Sequence, residues 1–199
     1  MFETITEPLY LEGTKVKIRS SSIDDAAELY EVGKEEKIWT YMVRGPLTSE
    51  QDAREFLDTF IALRAIGQWI PFAVLSRRTD KMIGFTCYLD IQPDNESLEI
   101  GYTFLHPDYW STGSALECQL LLAQHAVENL GAGRVVLKTD GRNRRVQRSL
   151  EHFGITKEGV LRKHMRVRDG FLRDTVMYSL LRDEWPEIKK RAAVLLKLF

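Results

Sequence analysis

Only two of the 199 residues are cysteine. Cys87 and Cys118 stand in apolar surroundings, with no Cys-x-x-Cys and no histidine at metal-ligand spacing, which excludes a disulfide framework and the usual zinc sites. An excess of one charge is also lacking. Lys and Arg number 28 against 29 Asp and Glu, a formal net charge of −1, so no global field draws the chain to nucleic acid or an anionic membrane. No run approaches the roughly 18 apolar residues of a membrane span, and the opening MFETITEPLY has neither the basic nor the apolar segment of a secretory signal. These absences predict a soluble protein in the cytoplasm. The phosphate-loop pattern G-x-x-x-x-G-K-[ST] is missing too, and the clustered Gly131 and Gly133 precede a strand instead of following one, against a dinucleotide-binding turn.

What is present is a clear order of periods. TKVKIR alternates like a short strand around Val16 and Ile18, and Ser21, Ser22 and Asp24 offer N-cap chemistry for a helix near Asp25–Val32. After the aromatic loop KIWTYM, Thr48-Ser49-Glu50-Gln51 opens a second helix whose apolar residues run from Ala53 to Leu63. WIPFAVLS, KMIGFTCYLD and SLEIGYTFL then read as three antiparallel strands. Leu116, Leu120, Ala123, Val127 and Leu130 mark one helix face closed by Gly131, and RVVLKTD reads as a strand buried on both faces. A helix from about Asn143 to Phe153, a hairpin turning at Asp169-Gly170 and a helix after Trp185-Pro186 complete the chain. With no repeat or linker, the reading is one domain over residues 1–199. Its class is α+β: a single mixed, mostly antiparallel central sheet with helices on both faces.

Within this order, HPDYWSTGSALECQ turns from strand to helix through small residues. A helix entrance gathers unpaired N–H groups and partial positive charge, so the turn suits a phosphate without any lysine. Simple capping by Ser111, Thr112 or Ser114 explains the same residues equally well.

The run from Glu99 to Gly154, with Trp110-Ser-Thr-Gly113-Ser-Ala115 between an E-I-G-Y strand and a long helix, T-D-x-x-N downstream and L-x-L-E-G-x-x-V-x-I-R upstream, resembles the GCN5-related N-acetyltransferases (GNAT). Within them it is most similar to the RimJ/RimL-type branch, which acetylates ribosomal proteins. The likeness spans about Leu9 to Trp185. It implies acetyl-coenzyme A (acetyl-CoA), with pyrophosphate on the amides of Trp110, Ser111, Thr112, Gly113, Ser114 and Ala115. Its pantetheine arm would lie along the end of the Leu98–Leu105 strand near Thr103 and Leu105, and Asn143 matches an asparagine beside that arm. Six strand steps from Leu105 back to Glu99 cover roughly 20 Å, comparable with the reach from pyrophosphate to thioester.

Glu99 stands where several family members carry a general base, and it reads equally as a structural carboxylate paired with a nearby cation. The customary proton donors are absent: the positions that match them hold Val146 and Leu150. Trp39 and Tyr41 fall in the segment that lines the acceptor cleft of such enzymes, and Trp69 and Phe72 could join them; core packing accounts for each as well. His106 reads as a loop stabiliser. His164, Arg166 and Arg168 read as a solvated edge or as contacts for an acidic substrate. The expected activity is transfer of acetyl to a primary amine, of a peptide N-terminus or a small molecule, with no metal. The alternative is a non-catalytic acyl-CoA-binding protein, and a homodimer through the terminal hairpin or helix follows only by analogy.

Overall fold

A computed structural model describes residues 2, 3, 5 and 8–198 of the chain. The strands are β1 (Tyr10–Glu12), β2 (Val16–Ser20), β3 (Ile70–Ser76), β4 (Met82–Gln92), β5 (Ser97–Leu105), β6 (Arg134–Asp140), β7 (Thr156–Arg166) and β8 (Leu172–Leu181). They form one sheet in the order β1-β2-β3-β4-β5-β6-β8-β7. Only β5 and β6 run parallel; every other neighbouring pair is antiparallel. The helices are α1 (Ala26–Gly33), α2 (Glu50–Ala65), α3 (Ser114–Gln124), α4 (Arg144–His152) and α5 (Trp185–Leu195).

Period-two alternation divides the core between the two faces of the sheet. On β3, Phe72 and Val74 join a cluster with Leu122 of α3, Leu150 of α4 and Ile188 of α5. Ala73 between them joins Leu29 of α1 and Phe56, Leu57 and Phe60 of α2 on the opposite face. The second cluster is aromatic: the Phe56, Phe60 and Phe85 rings lie about 5 Å apart. The expected mixed sheet with helices on both faces is therefore the observed fold.

Two strand readings need correction. The sheet begins one strand earlier than Val16, because Tyr10–Glu12 pairs with Lys17–Arg19; three residues are too few to show a period. RVVLKTD is not buried on both faces. Val135, Leu137 and Thr139 are buried while Arg134, Val136 and Lys138 are half-buried, because α1 and α2 pack over β3 and β4 and leave this face of β6 open.

Candidate active site

The one parallel pair creates the site. β5 and β6 are in register only from Ser97↔Arg134 to Glu99↔Val136, so the strands part beyond Glu99 and a cleft of about 1910 Å³ opens there. β5 is also irregular. Its register against β4 slips between Phe85↔Phe104 and Cys87↔Gly101, and Tyr102 adopts a left-handed φ of 54°. This bulge carries a backbone strain of the sort that accumulates at functional sites.

At one end of the cleft the main chain turns left-handed at Ser111 (φ 61°) and Gly113 (φ 81°), and Gly113 is the N-cap of α3 with no side-chain cap. The capping reading holds in part: the Ser114 N–H donates to the Thr112 hydroxyl in one long bond of 3.4 Å. Trp110, Ser111, Gly113, Ala115, Asn143, Thr103 and Leu105 all line the cleft. Thr112 and Ser114 do not. The Thr112 hydroxyl donates to the Tyr109 carbonyl and lies 2.8 Å from the Ser114 hydroxyl, so the two side chains tie the turn together. The Trp110 indole N–H donates to the Leu105 carbonyl (2.9 Å), fixing the turn to the end of β5, and the Arg145 guanidinium covers the ring at 3.9 Å. Asn143 is the N-cap of α4, its carbonyl oxygen accepting from the Val146 N–H at 3.4 Å. His106 stabilises its own loop, accepting from the Asp108 N–H at 3.3 Å.

The position of α3 is held from behind by Glu117, a residue the sequence reading did not single out. Its buried carboxylate accepts from the N–H groups of Thr14, Lys15 and Val16 and from the Thr14 hydroxyl, at 2.7–2.9 Å. It docks the first turn of the helix on the β1–β2 turn, where a Cβ on Gly13 would stand 2.5 Å from the carboxylate.

At the other end Glu99 is nearly buried and ion-paired to Lys138 of β6 at 2.5 Å. Burial raises its carboxyl above the ordinary value, and Lys138 opposes the rise only in part. Tyr41 lines the cleft in a 3-10 segment, Glu36–Tyr41. Trp39 does not: it is fully buried, donates to the Gly33 carbonyl at 2.7 Å and meets the Phe104 ring at 5.1 Å. It is a core residue, as is Phe72, whereas Trp69 is in the wall. The hairpin tip closes over this end. Arg168 pairs with Glu36, Arg142 lies 4.0 Å over the Phe171 ring and 5.7 Å over Tyr41, and Arg166 donates to the Gly170 carbonyl. Arg166 is therefore spent on the hairpin itself and Arg168 on tying it to the 3-10 segment, and His164 alone of the three lines the cleft. Val146 and Leu150 line it as apolar groups, while Ser149 adds a hydroxyl side chain to the wall.

A protein-family model described as "Acetyltransferase (GNAT) domain" matches residues 15–156. The chain belongs to the GNAT acetyltransferase family. It is 29% identical over 179 residues to the uncharacterized N-acetyltransferase p20 of Bacillus licheniformis, covering 90% of this chain and 98% of that protein. To the uncharacterized N-acetyltransferase YoaA of Bacillus subtilis it is 28% identical over 174 residues, 86% of this chain and 96% of the other. The crystal structure of a GCN5-related N-acetyltransferase from Brucella melitensis superposes with a TM-score of 0.88 at 27% identity, over 96% of this chain and 86% of that one. GNAT acetyltransferases use acetyl-CoA, and the residues here fit it: a helix entrance with a glycine at its cap position for the pyrophosphate and, along β5, main chain unpaired with β6 for the arm. Among the described residues no cluster of His, Cys, Asp or Glu could hold a metal ion, and no helix is long and apolar enough to cross a membrane.

Proposed function

We propose that the chain is an acetyl-CoA-dependent N-acetyltransferase acting on a primary amine by direct attack, with both substrates in the cleft together. The observation that carries this reading is the parting of β5 from β6 beyond Glu99, into a cleft shared with the left-handed Ser111–Gly113 turn at the entrance of α3. Acetyl-CoA supplies a thioester whose acetyl group an amine can take, leaving the free thiol. Main-chain N–H groups around Ser111–Ala115 hold the pyrophosphate, β5 beyond Glu99 pairs with the arm, and Asn143 flanks it. An N–H near Thr103–Leu105 meets the negative charge that develops on the acetyl oxygen.

Glu99 accepts the proton of the incoming ammonium. Its raised carboxyl sits closer to the working pH than an ordinary glutamate, which suits a general base. An α-amine, with a pKa of about 7.7–8.0 against about 10.4 for lysine, asks least of such a base. The Trp110-led loop, shared in pattern with the RimJ/RimL-type branch, supports a peptide or protein N-terminus over other amines. Solvent protonates the thiolate, since a thiol pKa of about 8.5 makes it a tolerable leaving group. The two free, buried cysteines suit the reducing cytoplasm.

Release of free thiol from acetyl-CoA in the presence of amines and peptides tests the reading. Turnover with a matching acceptor is the expected result; stabilisation by acetyl-CoA with no thiol release from any acceptor contradicts it. The second outcome would favour a non-catalytic acyl-CoA-binding protein, for which the apolar Val146 and Leu150 in the cleft wall speak.

A further inference from the structure

The acceptor end of the cleft holds more cations than its carboxylates use. Glu99 is engaged by Lys138 at 2.5 Å. Asp140, buried at the end of β6, is gripped by Arg142, whose Nη2, Nε and backbone N–H donate at 2.7–3.0 Å. A third cation, Arg173 at the start of β8, lines the same cleft and is half-buried. Its partners are neutral: Nε donates to the Thr175 hydroxyl at 3.1 Å and Nη1 to the Tyr41 carbonyl at 3.2 Å. Among the described residues no carboxylate oxygen lies within 4.0 Å of it, although the fields of Asp140 and Glu99 both reach it.

Two neutral contacts hold the guanidinium plane in place from β8 and from the 3-10 segment, so it is oriented before any ligand arrives. A half-buried guanidinium without a carboxylate partner carries an uncompensated desolvation cost. A planar fork with donors to spare is the group best suited to recognise a carboxylate. The charges nearby are also ordered. Asp90, on the β4 wall of the cleft, acts on Glu99, which makes that side the acidic pole, where an ammonium is attracted. Arg173 makes the opposite side a basic one.

We propose that Arg173 is a carboxylate anchor, and that the acceptor is a primary amine that also carries a carboxylate. The inference rests on the acetyltransferase reading and narrows its substrate class. Two sources share this chemistry: a free amino acid, and a peptide with an acidic side chain at its first or second residue.

Matched pairs of acceptors separate them, with thiol release followed at saturating acetyl-CoA. One arm compares an amino acid with its amide, the other a peptide bearing Glu at position two with its Gln counterpart. Wild type is expected to favour the carboxylate member of at least one arm by about tenfold or more in kcat/KM, the scale of one charge-assisted hydrogen bond. The arm that shows the preference identifies the source. Arg173→Gln should bring that ratio to about one, chiefly by raising KM for the acidic acceptor, and Arg173→Lys should restore part of it. A merely structural arginine would slow both members alike and leave the ratio intact. Equal turnover of both members by wild type, or an unchanged ratio in Arg173→Gln, overturns the anchor while the acetyltransferase reading stands. Absence of thiol release from every acceptor overturns that reading, and the anchor with it.

Discussion

The two ends of the cleft are made of different material. Around Ser111–Ala115 the surface offered to a ligand is largely main chain, shaped by positive φ at Ser111 and Gly113 and by a glycine at the cap position of α3. Around Glu99 it is side chain: Lys138, Arg142, Arg173 and Tyr41 converge from β6, the turn before α4, β8 and the 3-10 segment, joined by ion pairs and ring contacts. A main-chain surface depends on local conformation and tolerates many side chains. A side-chain surface is remade by any single substitution. The first end therefore suits a ligand common to a whole family, and the second suits whatever acceptor this chain has been tuned to.

Substitutions that strike one end and spare the other sharpen this contrast. The largest effect belongs to Glu117→Ala, which leaves three backbone N–H groups and a hydroxyl without their acceptor. At about 1–3 kcal/mol per unsatisfied group, partly relieved by water, a loss of about 3 kcal/mol or more is expected in urea unfolding. Coenzyme affinity should fall with it, because α3 loses its anchor. Next comes Glu99→Gln. Acetyl transfer should drop about a hundredfold at neutral pH, the low end for a general base, with little change in KM for acetyl-CoA. In wild type the rate should rise with pH through an apparent pKa above the ordinary glutamate value, since burial favours the protonated acid; that limb should vanish in Glu99→Gln. The same limb persisting in Glu99→Gln would remove Glu99 as the base.

Gly113→Val forces a β-branched residue to a φ of 81°, at a cost of about 1–2 kcal/mol. It should abolish stabilisation by acetyl-CoA even where the variant remains folded, and retained coenzyme binding would break the claim that this end works through its backbone. The smallest effect lies outside both ends. Arg134, with help from Ser179, holds the Glu158 carboxyl down at about 2 against an ordinary 4.5. A depressed acid contributes stability above its unfolded pKa and loses it as pH falls from about 4.5 toward 2. Because the pair is more than a third exposed, Glu158→Gln should cost no more than about 1 kcal/mol at pH 7 and leave thiol release unaltered.

The contrast between the ends also explains what the sequence made legible. Strands β3 to β5 announce themselves by apolar residues on both faces, and the turn at Gly113 by its small residues and its place between strand and helix. Local patterns carry both, so the α+β sheet could be read directly and the turn located, while its use for a coenzyme came only from the family resemblance. The end around Glu99 could not be read. Lys138 and Arg173 are ordinary charged residues in ordinary strands, and only the sheet order β5-β6-β8 brings them beside Glu99. Trp39 misled because an indole in a loop looks free, whereas its N–H is used on Gly33 and its ring on the aromatic core. The hydroxyls of Thr112 and Ser114 bond to the turn itself, which leaves its main chain as what the turn offers to a ligand. The open face of β6 depends on where α1 and α2 pack, and its own residues do not encode that.

In the proposed function the turn at Ser111–Ala115 holds the pyrophosphate of acetyl-CoA. Melting temperature with added acetyl-CoA, set beside pantetheine, which has the arm without the pyrophosphate, tests it most directly. Binding to the folded state alone stabilises by about 2.7 kcal/mol at a hundredfold excess over Kd. A clear rise with acetyl-CoA, and little or none with pantetheine at the same concentration, is the expected result. No shift with millimolar acetyl-CoA, or equal shifts with the two ligands, would contradict it.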